Sequence, residues 1–212
     1  MISLKSNLSK PLKKFIFAFL LVFPSLFYGQ KIEQIFKMLP DSTVMGLTRK
    51  ERKKICSDGG KIYSFGYIED IDSAHHYLSI RGKFEGEMVL RSWNVSPKKK
   101  LIAVYISSCG PVCSVEQLDF FIYDGKRFTM SPTESLFQVS EADFYLSSAS
   151  ESEMEKENII ATLLFELPKE GNTILVKWGN EEETLYKSYG KGNRLQLIFE
   201  NGKFKKELPY WE

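Results

Sequence analysis

The sequence predicts a mainly β domain of the α+β kind, an antiparallel meander preceded by one or two short helices. Three observations predict it. Alternating or fully apolar runs of strand length recur from Asp58 to the C-terminus. Turn dipeptides such as Asp124-Gly125 and Asn201-Gly202 separate them at close intervals, and Asp-Gly and Asn-Gly favour the positive backbone angles of tight hairpins. The gaps leave no room for the crossovers that parallel strands require.

In chain order, the first element reads as an export signal. Lys5, Lys10, Lys13 and Lys14 form a leader without an acid, an apolar run fills residues 15–23, and Pro24-Ser25 breaks it. A membrane span needs roughly 20 apolar residues, so the block suits a secretory signal peptide over residues 1–29, cut between Gly29 and Gln30. An uncleaved N-terminal anchor is the other reading. No cysteine precedes Cys56, so a lipidated cysteine at the cut is not expected. The mature chain, residues 30–212, is expected in the periplasm or outside the cell as one β domain without a stable membrane span. Residues 1–29 carry four lysines and no acid, so 25 basic and 27 acidic residues remain and the net charge falls to about −2. That balance argues against a nucleic-acid partner, which needs a basic face.

Residues 30–39 place Ile32, Ile35, Phe36 and Leu39 at helical spacing, and Pro40-Asp41-Ser42 ends the helix. Residues 47–55 suit a second short helix, with Thr48 as N-cap and Glu51 three residues on. Its basic cluster of Arg49, Lys50, Arg52, Lys53 and Lys54 reads as a solvated face.

About nine or ten strands follow. Residues 101–106 are apolar on both faces, as in a central strand covered on both sides. Leu118, Phe120 and Ile122 share one face, as do Ile174, Val176 and Trp178, and Leu195, Leu197 and Phe199. Residues 131–146 suit irregular or partly helical structure. Residues 147–158, small, polar and acidic, read as a flexible surface loop. The strands could close as a curved sheet, a sandwich or a partly open barrel.

Candidate chemistry is sparse. The turn Cys109-Gly110-Pro111-Val112-Cys113 is similar to the thioredoxin motif, but Val112 lengthens the spacing and a strand follows where the motif needs a helix N-terminus. In an oxidising compartment a Cys109–Cys113 disulfide is the favoured reading, ahead of paired thiols. Cys56 is left over. His75 and His76 are the only histidines, and no cysteine or carboxylate stands at a zinc spacing from them. The acidic runs near 151–157 and 181–183 lack the ligand pattern and central glycine of a calcium loop. Lys98, Lys99 and Lys100 follow Pro97 at an expected hairpin tip, where charge guards against edge pairing. No nucleophile elbow, phosphate loop or dinucleotide fingerprint is present. No catalytic, metal or cofactor residue is therefore assigned.

Several stretches together resemble an uncharacterised family of exported proteins, a domain of unknown function seen mainly in Bacteroidetes. They are Phe36, Pro40-Asp41-Ser42, Leu47-Thr48 and Arg52, then Cys109-Gly110-Pro111 and the strand end Phe121-Ile122-Tyr123-Asp124, with Trp178 and Trp211 in the later strands. The chain departs from that pattern at Cys113 and at Gly125-Lys126. The resemblance implies export and a mostly β architecture, and carries no functional residue. The expectation is a non-enzymatic envelope module that binds a protein partner or an apolar small molecule. The alternatives are an envelope hydrolase or thiol enzyme using Cys56, Cys109 or a histidine, and a structural subunit of a surface assembly.

Overall fold

The computed structural model describes residues 30–44, 47–58, 66–82, 86–110, 113–146, 163–178 and 187–212. Lys31–Glu212 forms one compact unit. The expected signal peptide and the acidic stretch at 147–158 lie outside the described residues.

Among the described residues ten strands form two sheets. The first takes β1 (Gly66–Asp72), β2 (Tyr77–Gly82), β3 (Glu87–Ser96), β4 (Lys99–Cys109), β5 (Cys113–Tyr123) and β6 (Phe128–Ser131), side by side in chain order. The second is built from β7 (Leu163–Glu166), β8 (Thr173–Trp178), β9 (Arg194–Glu200) and β10 (Lys203–Lys206), again in chain order. Every pairing is antiparallel. The turns expected at Pro97-Lys98, Asp124-Gly125 and Asn201-Gly202 fall between strands, whereas the one expected at Gly59-Gly60 lies outside the described residues. Asn201 and Gly202, between β9 and β10, have φ of 52° and 83°, the two positive values that a tight Asn-Gly hairpin demands.

The doubly apolar reading of residues 101–106 holds. Leu101, Ala103 and Tyr105 face the second sheet, where they meet Ile174, Val176, Leu195 and Leu197. Ile102 and Val104 face the other way, into a separate core with Leu78, Leu90 and Phe121. Two helices cover this second core: α1 (Ile32–Met38), which buries Ile32, Ile35 and Phe36, and α2 (Arg49–Ser57), which buries Ile55. The molecule is thus a three-layer stack of helices, six-stranded sheet and four-stranded sheet. Both sheets remain open, so of the three closures left by the sequence the strands adopt the sandwich.

The N-terminal layer is fixed by one side chain. Thr48 and Glu51 form the expected capping box at the start of α2. The solvated-face reading of its basic cluster is corrected at Arg52, whose side chain is fully buried, while Arg49, Lys50, Lys53 and Lys54 stay exposed. The Arg52 guanidinium donates to the carbonyls of Phe36 at 2.9 Å and Leu47 at 2.5 Å, and also to that of Leu39. Asp41 completes the set at 3.1 Å. The Phe36 and Leu39 carbonyls lie at the C-terminal end of α1, where helix geometry leaves acceptors without partners, and that of Leu47 lies just before α2. A short α3 (Thr133–Leu136) and a 3₁₀ turn (Glu141–Asp143) occupy the stretch expected to be irregular or partly helical.

Arg52→Ala is expected to lower stability by at least about 3 kcal/mol, since each buried acceptor left unpaired costs about 1–3 kcal/mol. Arg52→Lys should recover only a fraction, because an ammonium lacks the fork needed to reach three carbonyls. Urea unfolding, read as a lower midpoint with unchanged slope, checks both.

Candidate functional site

Most of the aromatic residues are consumed by packing. Phe204 of β10 lies against the rings of Trp93, Phe120, Phe137 and Phe199 with centroids 5.2–5.8 Å apart. This cluster fills the space between the sheets at the end of β4 where Leu101 pairs with Trp93.

At the other end of β4 the sheets part around a cleft of about 390 Å³. The first sheet contributes Tyr77, Glu87, Val89, Tyr105 and Ser107, and the second contributes Leu164, Phe165, Glu166 and Lys177. Leu167, Pro168 and Lys169 close one side, and Cys109 and Cys113 also line the cleft. Register explains why these residues meet. Val89 is paired with Tyr105 and Glu87 with Ser107 on adjacent strands, so all four point from the same face toward β7. Arg91, next but one along β3, donates to the Gly171 carbonyl at 2.7 Å. Lys169 reaches Asp70 of β1 at 2.6 Å. Both contacts tie the loop after β7 to the first sheet.

Electrostatics single out Glu87. Glu166 is held by Lys177 at 2.5 Å and Lys169 by Asp70. Arg81, the cation nearest Glu87 along the sheet, already meets Glu69 at 3.2 Å. Glu87 makes no ion pair of its own among the described residues. Burial pushes its carboxyl above the usual range; Arg81 opposes the rise, and Glu69 and Glu166 add to it. Burial likewise raises the Tyr77 and Tyr105 phenols, with Ser79 and Ser107 acting in the opposite direction.

Cys109 and Cys113 are Cα partners at the end of the β4–β5 hairpin and are joined as a disulfide. Cys56 of α2 is a free, half-buried thiol whose pKa is raised by burial, the reverse of what an activated nucleophile needs. The histidines sit together in the β1–β2 turn yet serve different partners. His75 Nδ1 lies 2.8 Å from Asp72. His76, at φ 57°, lies 3.1 Å from the Lys100 ammonium through Nε2, and burial lowers its pKa, with Lys100 and Arg91 adding to the effect. Among the described residues no group of three or more metal-ligating side chains converges, and no helix is long and apolar enough to cross a membrane.

The sequence reading reached the disulfide pair but not the cleft. Its lining comes from strands as distant in sequence as Tyr77 and Lys177, with no local motif. One signal was available: Glu87, Val89, Arg91 and Trp93 alternate on one face of β3, which puts two charges on an inward-facing row.

No protein-family model matches the chain, and no curated protein matches it. Among solved structures, a domain of an uncharacterized protein from Porphyromonas gingivalis W83 is similar, with a TM-score of 0.63 and 18% identity over 83% of this chain and 97% of that one. At that identity the likeness shows the fold alone. That fold accords with the mostly β architecture expected from the sequence.

Two outcomes are expected. Replacing Cys109 and Cys113 together by Ser should lower stability by no more than about 2 kcal/mol, the loop-closure value for so small a ring, with far-UV circular dichroism unchanged. Glu87→Gln should raise the melting temperature at neutral pH. A carboxyl whose folded pKa is raised favours folding below its unfolded pKa and loses that contribution as pH rises through the folded one. The gain should therefore vanish below about pH 4, near the unperturbed carboxyl pKa, and a gain that persists there would contradict the assignment.

Proposed function

We propose that this chain is a non-catalytic binding module of the cell envelope and that its ligand is a small molecule held in the cleft between the two sheets. The cleft carries the proposal. Its volume falls within the roughly 300–1,000 Å³ of small-molecule sites, and its lining has their usual make-up, apolar and aromatic side chains around a few polar groups. Among the described residues the exposed large apolar side chains form no broad protein-docking face, because they are spread over β1 (Tyr67, Ile71), β3 (Val95), β6 (Met130) and the C-terminal segment (Leu208, Tyr210). A lipid carrier lined by stacked aromatics is disfavoured, since those rings fill the core. The disulfide accords with an oxidising compartment and thus with export.

Native mass spectrometry of the protein purified from its own envelope tests this. The expected result is a mass above that of the chain, lost on denaturation and lost in a Ser107→Phe variant that keeps its circular dichroism spectrum. A bare chain in the wild-type protein, or an adduct unaffected by filling the cleft, would remove the proposal.

A further inference from the structure

We propose that the cleft selects a small organic cation, an ammonium group set against the Glu87 carboxylate with its apolar body along Tyr77, Tyr105 and Phe165. This rests on the binding-module reading and narrows it to one ligand chemistry.

The argument begins from the charges that line the cleft. Glu166 and Lys177 neutralise each other at 2.5 Å, and Lys169 is neutralised by Asp70 at 2.6 Å. Glu87 is left as the one lining charge without an ion-pair partner among the described residues. Both tyrosines that share its wall feel its charge. A neutral ligand would strip water from this carboxylate and return at most a hydrogen bond without charge, which leaves part of the desolvation cost uncompensated. An anion would be repelled by Glu87, and Lys177 and Lys169 are already paired with Glu166 and Asp70. A cation completes the missing ion pair in a partly desolvated site, where such pairing is strongest. Tyr77, Tyr105 and Phe165 add aromatic rings to the lining, and ring faces attract ammonium groups. The cleft is a concavity between two sheets, which suits a free small amine better than a lysine side chain carried on a protein surface.

The carboxyl must be ionised for this role. Facing it are Arg81 and Glu69, paired with each other, the protonated phenols of Tyr77 and Tyr105, Ser107, and the Glu166–Lys177 pair. Lowering pH through the raised Glu87 pKa should therefore weaken cation binding before the ordinary carboxylates titrate.

Titration calorimetry of the full chain with three probes of one shape tests the inference: 2-phenylethylammonium, neutral 2-phenylethanol and anionic 3-phenylpropionate. The expected result is a preference of at least tenfold for the ammonium over the alcohol. That preference should disappear in Glu87→Gln and, in the unsubstituted protein, fall as the solution is acidified. Equal binding of ammonium and alcohol, or a better fit for the carboxylate, would overturn the cation assignment while leaving the module reading in place. The same holds if none of the probes binds but the native adduct persists. Tighter binding of N-acetyl-lysine amide than of the small amine would transfer the site to a protein side chain and overturn the small-molecule source. Absence of both probe binding and native adduct would remove the module reading itself.

Discussion

A strand that is apolar on both faces cannot lie at a protein surface, and β4 imposes that condition on the whole domain. Leu101, Ile102, Ala103 and Val104 are all completely buried. Burying them requires a layer on each side of the first sheet, and the chain supplies two different ones. Helices α1 and α2 cover one face because Ile32, Ile35, Phe36 and Ile55 share an apolar stripe. The second sheet covers the other because Ile174, Val176, Leu195 and Leu197 alternate inward. Each layer then needs its own fastening. Arg52 fastens the helices through main-chain carbonyls, and an interlocked set of rings around Phe204 fastens the sheets.

The sheets are filled unevenly, and the functional reading follows from that. Large rings occupy the Trp93 end of the intersheet space, whereas at the other end Glu87, Ser107 and the disulfide stand among the inward-facing Tyr77, Val89 and Tyr105. Small or charged side chains there cannot close the gap, so a cleft remains. Its walls are kept in place by contacts that cross between layers, the Arg91 bond to Gly171 and the Lys169 pair with Asp70. A half-buried carboxylate without a partner is unfavourable for folding. Groups of that kind gather where a site, rather than stability, sets the choice of residue. The thiol and histidine chemistry considered from sequence finds less support in the local environments: burial raises the Cys56 pKa, and the two histidines engage separate partners.

How much was legible varied with the range of the interaction. The capping box of Thr48 and Glu51, the Asn201-Gly202 turn and the inward rows of β8 and β9 are local patterns with periods of two or about four residues, and all were readable. Arg52 was misread because its neighbours at 49, 50, 53 and 54 are solvated cations, and charge pattern alone does not reveal the carbonyls that one of the five will meet. The cleft was invisible because Tyr77, Glu87, Tyr105 and Phe165 stand on four separate strands.

By itself, the sequence determined the kind and the approximate number of strands, their antiparallel succession and the requirement that β4 be enclosed, because each follows from side-chain periodicity and turn stereochemistry within a few residues. Only the tertiary structure decided that the strands divide into two open sheets, that Arg52 turns inward, and that Glu87 makes no ion pair among the described residues. Those outcomes depend on which residues distant in sequence come within a few ångströms of one another, and on which buried polar groups find partners there.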